Sequence, residues 1–152
     1  MGRGARKTAI ELAEKTLRQV LKFEYTEVSV NLLKKLSRHY GAIEKNKKKF
    51  NEYTLLMDKY LEIFNAETIA EQFYTKLSFH SNTSSAVSEE LIEEAIDYTN
   101  QLKQFLNRVN SNRFLMMAYM VFSYRYEIIH DYINVLKVCN EALVRFEEKE
   151  SK

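Results

Sequence analysis

Three groups of residues in this sequence could support chemistry by their type and spacing. Glu127 and His130 are three positions apart, which would place both side chains on one face of a helix, where they could bind a metal ion. Cys139 is the single thiol of the chain. The third group is a run of lysines that could contact the phosphates of an anionic partner. It consists of Lys45, Lys47, Lys48 and Lys49.

A metal site would need more ligands than Glu127 and His130. Di-iron helix bundles use two Glu-x-x-His motifs and two further glutamates, and this sequence has one such motif. The other histidines, His39 and His80, have no partner at ligand spacing. The sequence also has no phosphate-binding loop, dinucleotide fingerprint or nucleophile motif. We therefore predict no catalytic residue, no metal and no cofactor, and a protein that is not an enzyme.

Positive charge is concentrated in the first third of the chain. Residues 1–50 contain 13 Lys/Arg and 5 Asp/Glu, whereas residues 51–152 contain 10 and 16. This asymmetry indicates either an anionic partner for the basic half, such as nucleic acid, or attraction between opposite ends of two copies. No nucleic-acid motif accompanies the lysines, so a solvated helix start is the competing interpretation. If the lysines bind nucleic acid, the affinity must fall steeply with salt.

The elements that position these residues are predicted to be helices. The chain has no proline and only three glycines, whereas a β-rich fold would need more of both at its turns. Its 152 residues suit one domain, and its longest apolar run, 114–122, is too short to span a bilayer. We predict a single all-helical domain over residues 1–152, cytoplasmic and without a membrane partner. The chain is either complete or a piece of a longer helical-repeat protein.

Capping patterns predict the first helix boundaries. Thr8–Glu11 has the form of a capping box, so the first helix should begin near Thr8. Residues 23–30 are predicted to form a connector, in which Thr26 or Ser29 caps a second helix. Gly41 is expected to stop that helix.

The third helix should begin at the lysine run and carry apolar residues at helical spacing. We predict an interruption near Asn65, because Thr68–Glu71 repeats the capping-box pattern. Residues 78–88 are rich in Ser, Asn and Thr, which is typical of a loop. Ser88 should cap a helix that runs to Val109, and residues 110–112 should end that helix and cap the next.

The stretch from Asn112 to Lys149 is the most apolar and aromatic part of the sequence and predicts two helices joined by a short turn. Its large and small residues have the spacing Tyr119-x2-Phe122-Ser123-x2-Tyr126-x8-Val135-x3-Cys139-x2-Ala142. Over residues 116–149 this spacing resembles the tetratricopeptide repeat, a helix–turn–helix of about 34 residues. The resemblance implies a tetratricopeptide-like helical repeat or solenoid of six to seven antiparallel helices, with His130–Tyr132 at the turn. An up-down helix bundle is the alternative.

The resemblance also implies a concave binding surface on the first helix of this pair. That surface would be formed by Met117, Met120, Tyr124 and Glu127. Because it is apolar and slightly acidic, a hydrophobic protein segment, extended or helical, is the expected partner. We therefore predict a non-catalytic protein–protein interaction module. The alternative is a nucleic-acid-associated or regulatory helical protein that uses the basic N-terminal half.

The second helix of the pair has more apolar surface than one neighbour can cover. We predict that the excess mediates a homodimer. The residues expected at that contact are Val135, Val138, Ala142 and Val144. Cys139 lies on the same apolar helix, so we predict a packed core thiol. The ten tyrosines and nine phenylalanines are expected to lie mostly in the core.

Overall fold

The proline-free chain is helical along nearly its whole length. A computed structural model describes residues 2–82 and 86–152, and within these ranges the chain forms six α-helices, one π-helical turn and no β-strand. The π-turn, His39–Ile43, directly follows the second helix. The helices are α1 (Arg3–Lys22), α2 (Thr26–Arg38), α3 (Lys47–Asn82), α4 (Glu89–Lys103), α5 (Asn112–Glu127) and α6 (Tyr132–Glu150). The predicted all-α fold with six or seven helices is confirmed at this level.

The chain divides into two compact units, residues 1–64 (unit 1) and residues 65–152 (unit 2). Helix α3 contributes residues to both units. Unit 1 contains fourteen Lys/Arg and eight Asp/Glu, whereas unit 2 contains nine and thirteen. The charge asymmetry seen in the sequence therefore follows the division into units.

The core of unit 1 is built where α1, α2, the π-turn and the first half of α3 meet. Its buried members are Leu17, Leu33, Leu36 and Tyr40. Three of them recur at i, i+3 and i+7 along α2 and the π-turn, which is the apolar stripe expected of a helix with one buried face. The half-buried side chains that pack around them are Ile10, Ala13, Val20, Leu21, Leu32, Tyr53, Leu56, Met57 and Tyr60.

The core of unit 2 joins the second half of α3 to α4 and α5. Phe73 of α3 stacks on Tyr98 of α4, with ring centroids 4.0 Å apart. Phe114 and Leu115 of α5 are fully buried. Of the nineteen Tyr and Phe side chains of the whole chain, six are buried, seven half-buried and six exposed. Aromatic content alone is therefore a weak guide to this core.

The predicted starts of α1 and α2 are wrong. Thr8 lies inside α1, and its hydroxyl donates to the carbonyl oxygen of Gly4 at 3.1 Å. Ser29 lies inside α2 and donates to the carbonyl oxygen of Tyr25 at 2.9 Å, and Thr26 is the first residue of the helix, with its hydroxyl donating to the carbonyl oxygen of Glu24 at 3.4 Å. Hydroxyls within a helix bond back to the preceding turn, so a capping pattern in sequence does not by itself mark a helix start.

The starts of α4 and α5 are predicted correctly. The Ser88 hydroxyl accepts the backbone N–H of Leu91 at 3.1 Å, and the Ser111 hydroxyl accepts that of Phe114 at 3.3 Å. Each bond satisfies one of the free N–H groups in the first turn of its helix. The turn between α5 and α6 also lies at its predicted position, with Asp131 capping α6.

The predicted interruption of α3 near Asn65 is wrong, because the helix continues to Asn82. Ala66 and Ala70 are fully buried in the middle of this stretch. The predicted loop at 78–88 is also wrong for residues 78–82, which are the last turn of α3, although residues 86–88 are non-helical. Residues 83–85 of that loop lie outside the described ranges. Helix α4 ends before the predicted Val109, and turns occupy residues 104–108.

Two polar contacts, one buried and one exposed, tie the second half of α3 to the start of α5. Glu67 is buried, and its carboxylate accepts the Ser111 hydroxyl at 2.7 Å. One turn later Glu71 pairs with Arg113 at 2.8 Å. Both acids lie in the stretch that resembled a second capping box, but they bind the first turn of α5 instead of capping their own helix. A carboxylate at that place also suits the positive end of the α5 dipole.

Candidate functional site

An open cleft in unit 2 lies between the end of α3, α5 and α6 and has a volume of about 490 Å³. Helix α5 forms its floor with side chains one turn apart, and α3 and α6 form its two walls. The lining residues are Tyr74, Leu77, Ser78, Met116, Tyr119, Met120, Ser123, Tyr124, Glu127, Val138, Cys139, Ala142 and Phe146. We call this space the apolar cleft.

Three of the four predicted partner-binding residues line the apolar cleft. They are Met120, Tyr124 and Glu127, whereas Met117 is half-buried outside the lining and Met116 takes its place. The difference is one of helical phase, because Met116 lies one turn before Met120 and shares its face. The i, i+4 relation of these two methionines is visible in the sequence and could have identified Met116.

The apolar cleft has one charged group, Glu127, among the described residues that line it. The Ser123 hydroxyl donates to the Glu127 carboxylate at 2.5 Å. Burial, with Glu127 nearby, raises the pKa of Tyr124 above its ordinary value, and burial likewise raises the pKa of Tyr119. These tyrosines are therefore neutral hydrogen-bonding groups at physiological pH.

Cys139 is exposed and lies at the α6 wall of the apolar cleft, so the prediction of a packed core thiol is wrong. Val138 and Ala142 of the same helix also line the cleft and are half-buried. Apolar sequence neighbours did not reveal this position, because they do not say which part of α6 faces α5.

Helix α6 has no buried residue. Of the residues predicted for self-association, Val135, Val138 and Ala142 are half-buried, while Val144 is exposed. The helix is also held by Arg145, which donates to the carbonyl oxygen of Leu106 at 3.4 Å. Its opposite side, which we call the outer face, carries exposed apolar side chains. They are Tyr132, Ile133, Leu136, Leu143 and Val144.

A second cleft, in unit 1, lies around the π-turn and has a volume of about 490 Å³. Two of the four predicted anion-binding lysines, Lys45 and Lys47, line it together with Arg38. The remaining lining residues are Ser37, Tyr40, Gly41, Ala42 and Phe50. We call this space the basic cleft. Lys48 is exposed next to it but does not line it.

Lys49, the fourth predicted lysine, serves a different purpose. Its Nζ lies 3.2 Å from the Tyr40 hydroxyl and 3.8 Å from a Glu14 oxygen. Tyr40 and Tyr53 both donate to the same Glu14 oxygen, Tyr53 at 3.1 Å. This lysine therefore neutralises a partly buried carboxylate and does not belong to the basic cleft.

The Glu14 cluster shifts the pKa values of its members. Burial alone would raise the pKa of Glu14, but the hydrogen bonds from Tyr40 and Tyr53 and the charge of Lys49 lower it overall. Burial and the Glu14 carboxylate raise the pKa of Tyr53 to about 12 and raise that of Tyr40 further. The ionic and neutral forms that suit this arrangement are thus maintained across the neutral pH range.

The π-turn shapes the basic cleft. The Glu44 N–H donates to the carbonyl oxygen of His39 at 3.0 Å, the i to i+5 bond of a π-helix. Gly41 therefore lies within this turn and is not the predicted helix stop. A Cβ at Gly41 would be 2.7 Å from Cδ2 of Phe50, so the close approach of that ring requires glycine.

Two of the three histidines have partners close in sequence, and His80 Nε2 lies 3.7 Å from a Glu94 oxygen. His39 pairs with Glu44 at 2.9 Å, and His130 Nδ1 lies 3.0 Å from the Tyr132 hydroxyl. Within the ranges that the structure describes, no group of three or more His, Cys, Asp or Glu side chains is placed to hold a metal ion. Across the same residues, no helix combines the length and apolar character needed to cross a membrane.

Comparison with known proteins finds no matching family model, no similar curated protein and no similar solved structure. The tetratricopeptide resemblance therefore stays a prediction, and the function has to be argued from the two clefts and from α6.

Proposed function

We propose that this chain is a non-catalytic protein–protein interaction module that binds an amphipathic helical segment of another protein in the apolar cleft. The observation that carries the proposal is the lining itself, which is apolar apart from Glu127, Ser and Tyr groups. A cleft of this size and composition suits side chains from one or two turns of a helix. The chain also associates with itself through α6 in this proposal.

Charge and flexibility define the expected partner. Met116 and Met120 are unbranched and partly exposed, so they can adapt to different apolar side chains. Glu127 and the excess of acids in unit 2 favour a segment that carries Lys or Arg beside its apolar residues. An acidic segment would meet like charge at the mouth of the cleft.

We further propose that α5 and α6 form a hairpin of the tetratricopeptide type, with α5 presenting the concave surface. Two features support this. His130 has a positive φ of 58° at the turn, and Asp131 caps α6 immediately afterwards. The residues of α5 that line the apolar cleft are those on the side the repeat would use for a ligand.

Binding can be tested with two fluorescein-labelled synthetic peptides that share a row of leucines at helical spacing. One carries Lys on its polar face and the other carries Glu. In fluorescence polarisation we expect the Lys peptide to bind at least roughly tenfold more tightly than the Glu peptide. This corresponds to a difference of about 1.4 kcal/mol in the free energy of binding. Glu127→Lys should reverse the preference.

Matched variants locate the binding surface. Met120→Glu places a charge in the apolar cleft and should weaken binding of the Lys peptide by roughly tenfold or more. Leu55→Glu introduces the same charge at an exposed position of unit 1 and should change nothing. The proposal would be contradicted if the native chain, Met120→Glu and Leu55→Glu all bound the two peptides with equal affinity.

The single thiol provides a second readout in the unmodified chain. Because Cys139 is exposed at the cleft wall, iodoacetamide should alkylate it, and a saturating Lys peptide should slow that reaction. A bound peptide that leaves the alkylation rate unchanged would place the binding site elsewhere.

The basic cleft supports a second candidate function, contact with nucleic acid. Residues 34–51 contain seven Lys/Arg and one Glu. Lys45 and Lys47 line the cleft beside Arg38, whereas Lys49 is engaged by Glu14. Three basic side chains around a concave surface with an aromatic ring could hold a phosphate backbone and one base.

A mobility-shift assay with a single-stranded and a duplex oligonucleotide tests this candidate. With three phosphate contacts, the logarithm of the duplex binding constant should fall against log salt with a slope of about −3. The double substitution Lys45→Glu/Lys47→Glu should abolish the complex, while Lys34→Glu/Lys35→Glu, on exposed positions of α2, should weaken it much less. Absence of any complex at low salt would rule this function out.

A further inference from the structure

The outer face of α6 contains a regular row that the apolar cleft does not use. Its members are separated by three, four, three and four residues, which is the spacing of a coiled-coil seam. They are Ile133, Leu136, Asn140, Leu143 and Glu147, and all are exposed. Ile133, Leu136 and Leu143 have exposed fractions of 71%, 64% and 58%. Large apolar side chains exposed to this extent in one row are typical of an interaction surface.

The residue types in the row indicate which partner. In heptad terms Ile133 and Asn140 occupy a positions, and Leu136 and Leu143 occupy d positions. A β-branched residue at a with leucine at d favours two strands. A single asparagine at a selects an asparagine opposite it, because its amide would otherwise be buried without a hydrogen bond. A second α6 in parallel register offers this asparagine, because Asn140 then lies opposite Asn140 of the other copy.

We propose that two copies of this chain associate through a parallel α6–α6 contact with Asn140 of each copy side by side. This inference rests on the proposed role of the chain as an interaction module, and it names the residues of self-association. These residues differ from the predicted Val135, Val138 and Ala142, which are half-buried on the opposite side of α6.

The flanks of the row agree with a parallel pair. Tyr132, Lys137, Cys139 and Val144 occupy the e and g positions. In parallel register Tyr132 lies opposite Lys137 of the second copy, and Cys139 lies opposite Val144, so no like charges meet. Glu147 falls at the next a position and would place two carboxylates together. The contact therefore ends near Val144.

Sedimentation equilibrium tests the association over a range of about 1 to 200 µM chain, which covers micromolar dissociation constants. We expect a dimer mass at the upper end for the native chain. Leu136→Glu/Leu143→Glu should be monomeric throughout, while Leu55→Glu, at an equally exposed leucine of unit 1, should dimerise like the native chain. Far-ultraviolet circular dichroism checks that each variant is folded. A monomeric native chain, or a dimer that survives the double substitution, would overturn the proposal.

Cross-linking tests the parallel register. In a Cys139→Ser background, Leu136→Cys leaves one thiol per chain, at a d position. In the parallel dimer this thiol faces the same thiol of the second copy, so mild oxidation should give a covalent dimer within minutes. Glu141→Cys, on the same helix but outside the row, should give little. Glu147→Leu should strengthen the dimer, because a leucine at that a position would let the contact continue beyond Val144. A dimer that forms no Leu136→Cys cross-link would refute the parallel arrangement.

The two proposals fail separately. Leu136→Glu/Leu143→Glu lies outside the apolar cleft and should leave affinity for the Lys peptide unchanged. Met120→Glu should weaken the peptide and leave the dimer intact. If either variant lost both peptide binding and dimerisation, the apolar cleft and the outer face of α6 would form a single binding surface.

Discussion

Helices α5 and α6 are neighbours of similar length, with 16 and 19 residues, and both are rich in apolar side chains. Helix α5 buries six residues, whereas α6 buries none. The buried residues of α5 are Phe114, Leu115, Ala118, Tyr119, Val121 and Phe122. Composition therefore does not decide which helix belongs to the core.

The difference comes from the number of covered sides. Helix α5 packs between α4 and α6, and its first turn is held on α3 through Ser111 and Arg113. Helix α6 packs on α5 with one face and borders the apolar cleft with the next, which leaves its outer face open. The buried residues of α5 stabilise the fold, whereas the apolar residues on the outer face of α6 stay exposed.

The largest expected contrast is in core deletion. Phe114→Ala removes a fully buried ring and should lower the free energy of unfolding by about 3–5 kcal/mol. Leu136→Ala, on the exposed face of α6, should change it by less than about 0.5 kcal/mol in the dilute chain. Urea denaturation at low micromolar concentration measures both. Similar losses would mean that α6 is part of the core after all.

Removing the cap of α5 should lower the free energy of unfolding more than removing the cap of α6. This difference should be smaller than the one expected for core deletion. Ser111→Ala removes the cap of α5 and strips the buried Glu67 of a hydrogen bond, so we expect a loss of about 2–3 kcal/mol. Asp131→Ala removes the cap of α6, which accepts the backbone N–H of the half-buried Asn134, and should cost about 1 kcal/mol. Thermal unfolding of the two variants ranks them, and a reversed order would contradict this account of α5.

Alkaline pH should lower the free energy of unfolding through Tyr98, which is buried in the core of unit 2. Burial and the Glu94 hydrogen bond raise the pKa of Tyr98 to about 12. Because the folded-state pKa lies above the unfolded value near 10, this contribution is complete below pH 10 and is lost as pH rises toward 12. Between pH 9 and pH 11.5 the chain should lose stability, and Tyr98→Phe should reduce that loss by on the order of 1 kcal/mol, the remainder coming from Tyr40 and Tyr53. An equal loss in Tyr98→Phe would assign the effect to other groups.

The smallest effect is expected at Cys139. Because the thiol is exposed, Cys139→Ser should change the free energy of unfolding by less than about 0.5 kcal/mol. The sequence-based prediction of a core thiol requires a loss of more than about 1 kcal/mol, since a hydroxyl would be buried without a partner. Denaturant titration of this single variant decides between the two.

Capping signals predicted the starts of α4 and α5 correctly, but they failed at α1, at α2 and in the middle of α3. Ser88 and Ser111 cap as predicted because each accepts an N–H three residues later. The interruption predicted near Asn65 failed because the partners of Glu67 and Glu71 lie 44 and 42 residues away in sequence. No local pattern reports contacts of that range.

The predictions of the candidate sites were also limited by contacts between residues that are far apart in sequence. The sequence predicted a concave surface on α5, and three of its four predicted residues line the apolar cleft, but it missed Met116 by one position. It grouped Lys49 with Lys45 and Lys47, although Lys49 is engaged by Glu14 of α1. Helical phase and distant partners require the packed structure, since periodicity alone does not say which face is covered.

The π-turn at His39–Ile43 carries one residue more than an α-helical turn would need. Deleting one residue there would restore α-helical pairing and rotate everything after it by about 100° around the helix axis. Lys45 and Lys47 would then leave the surface they share with Arg38, and the ring of Phe50 would no longer require glycine at Gly41. A single-codon insertion or deletion in the gene could thus create or erase the basic cleft, so descendants of a common ancestor could differ in this property while keeping the same fold.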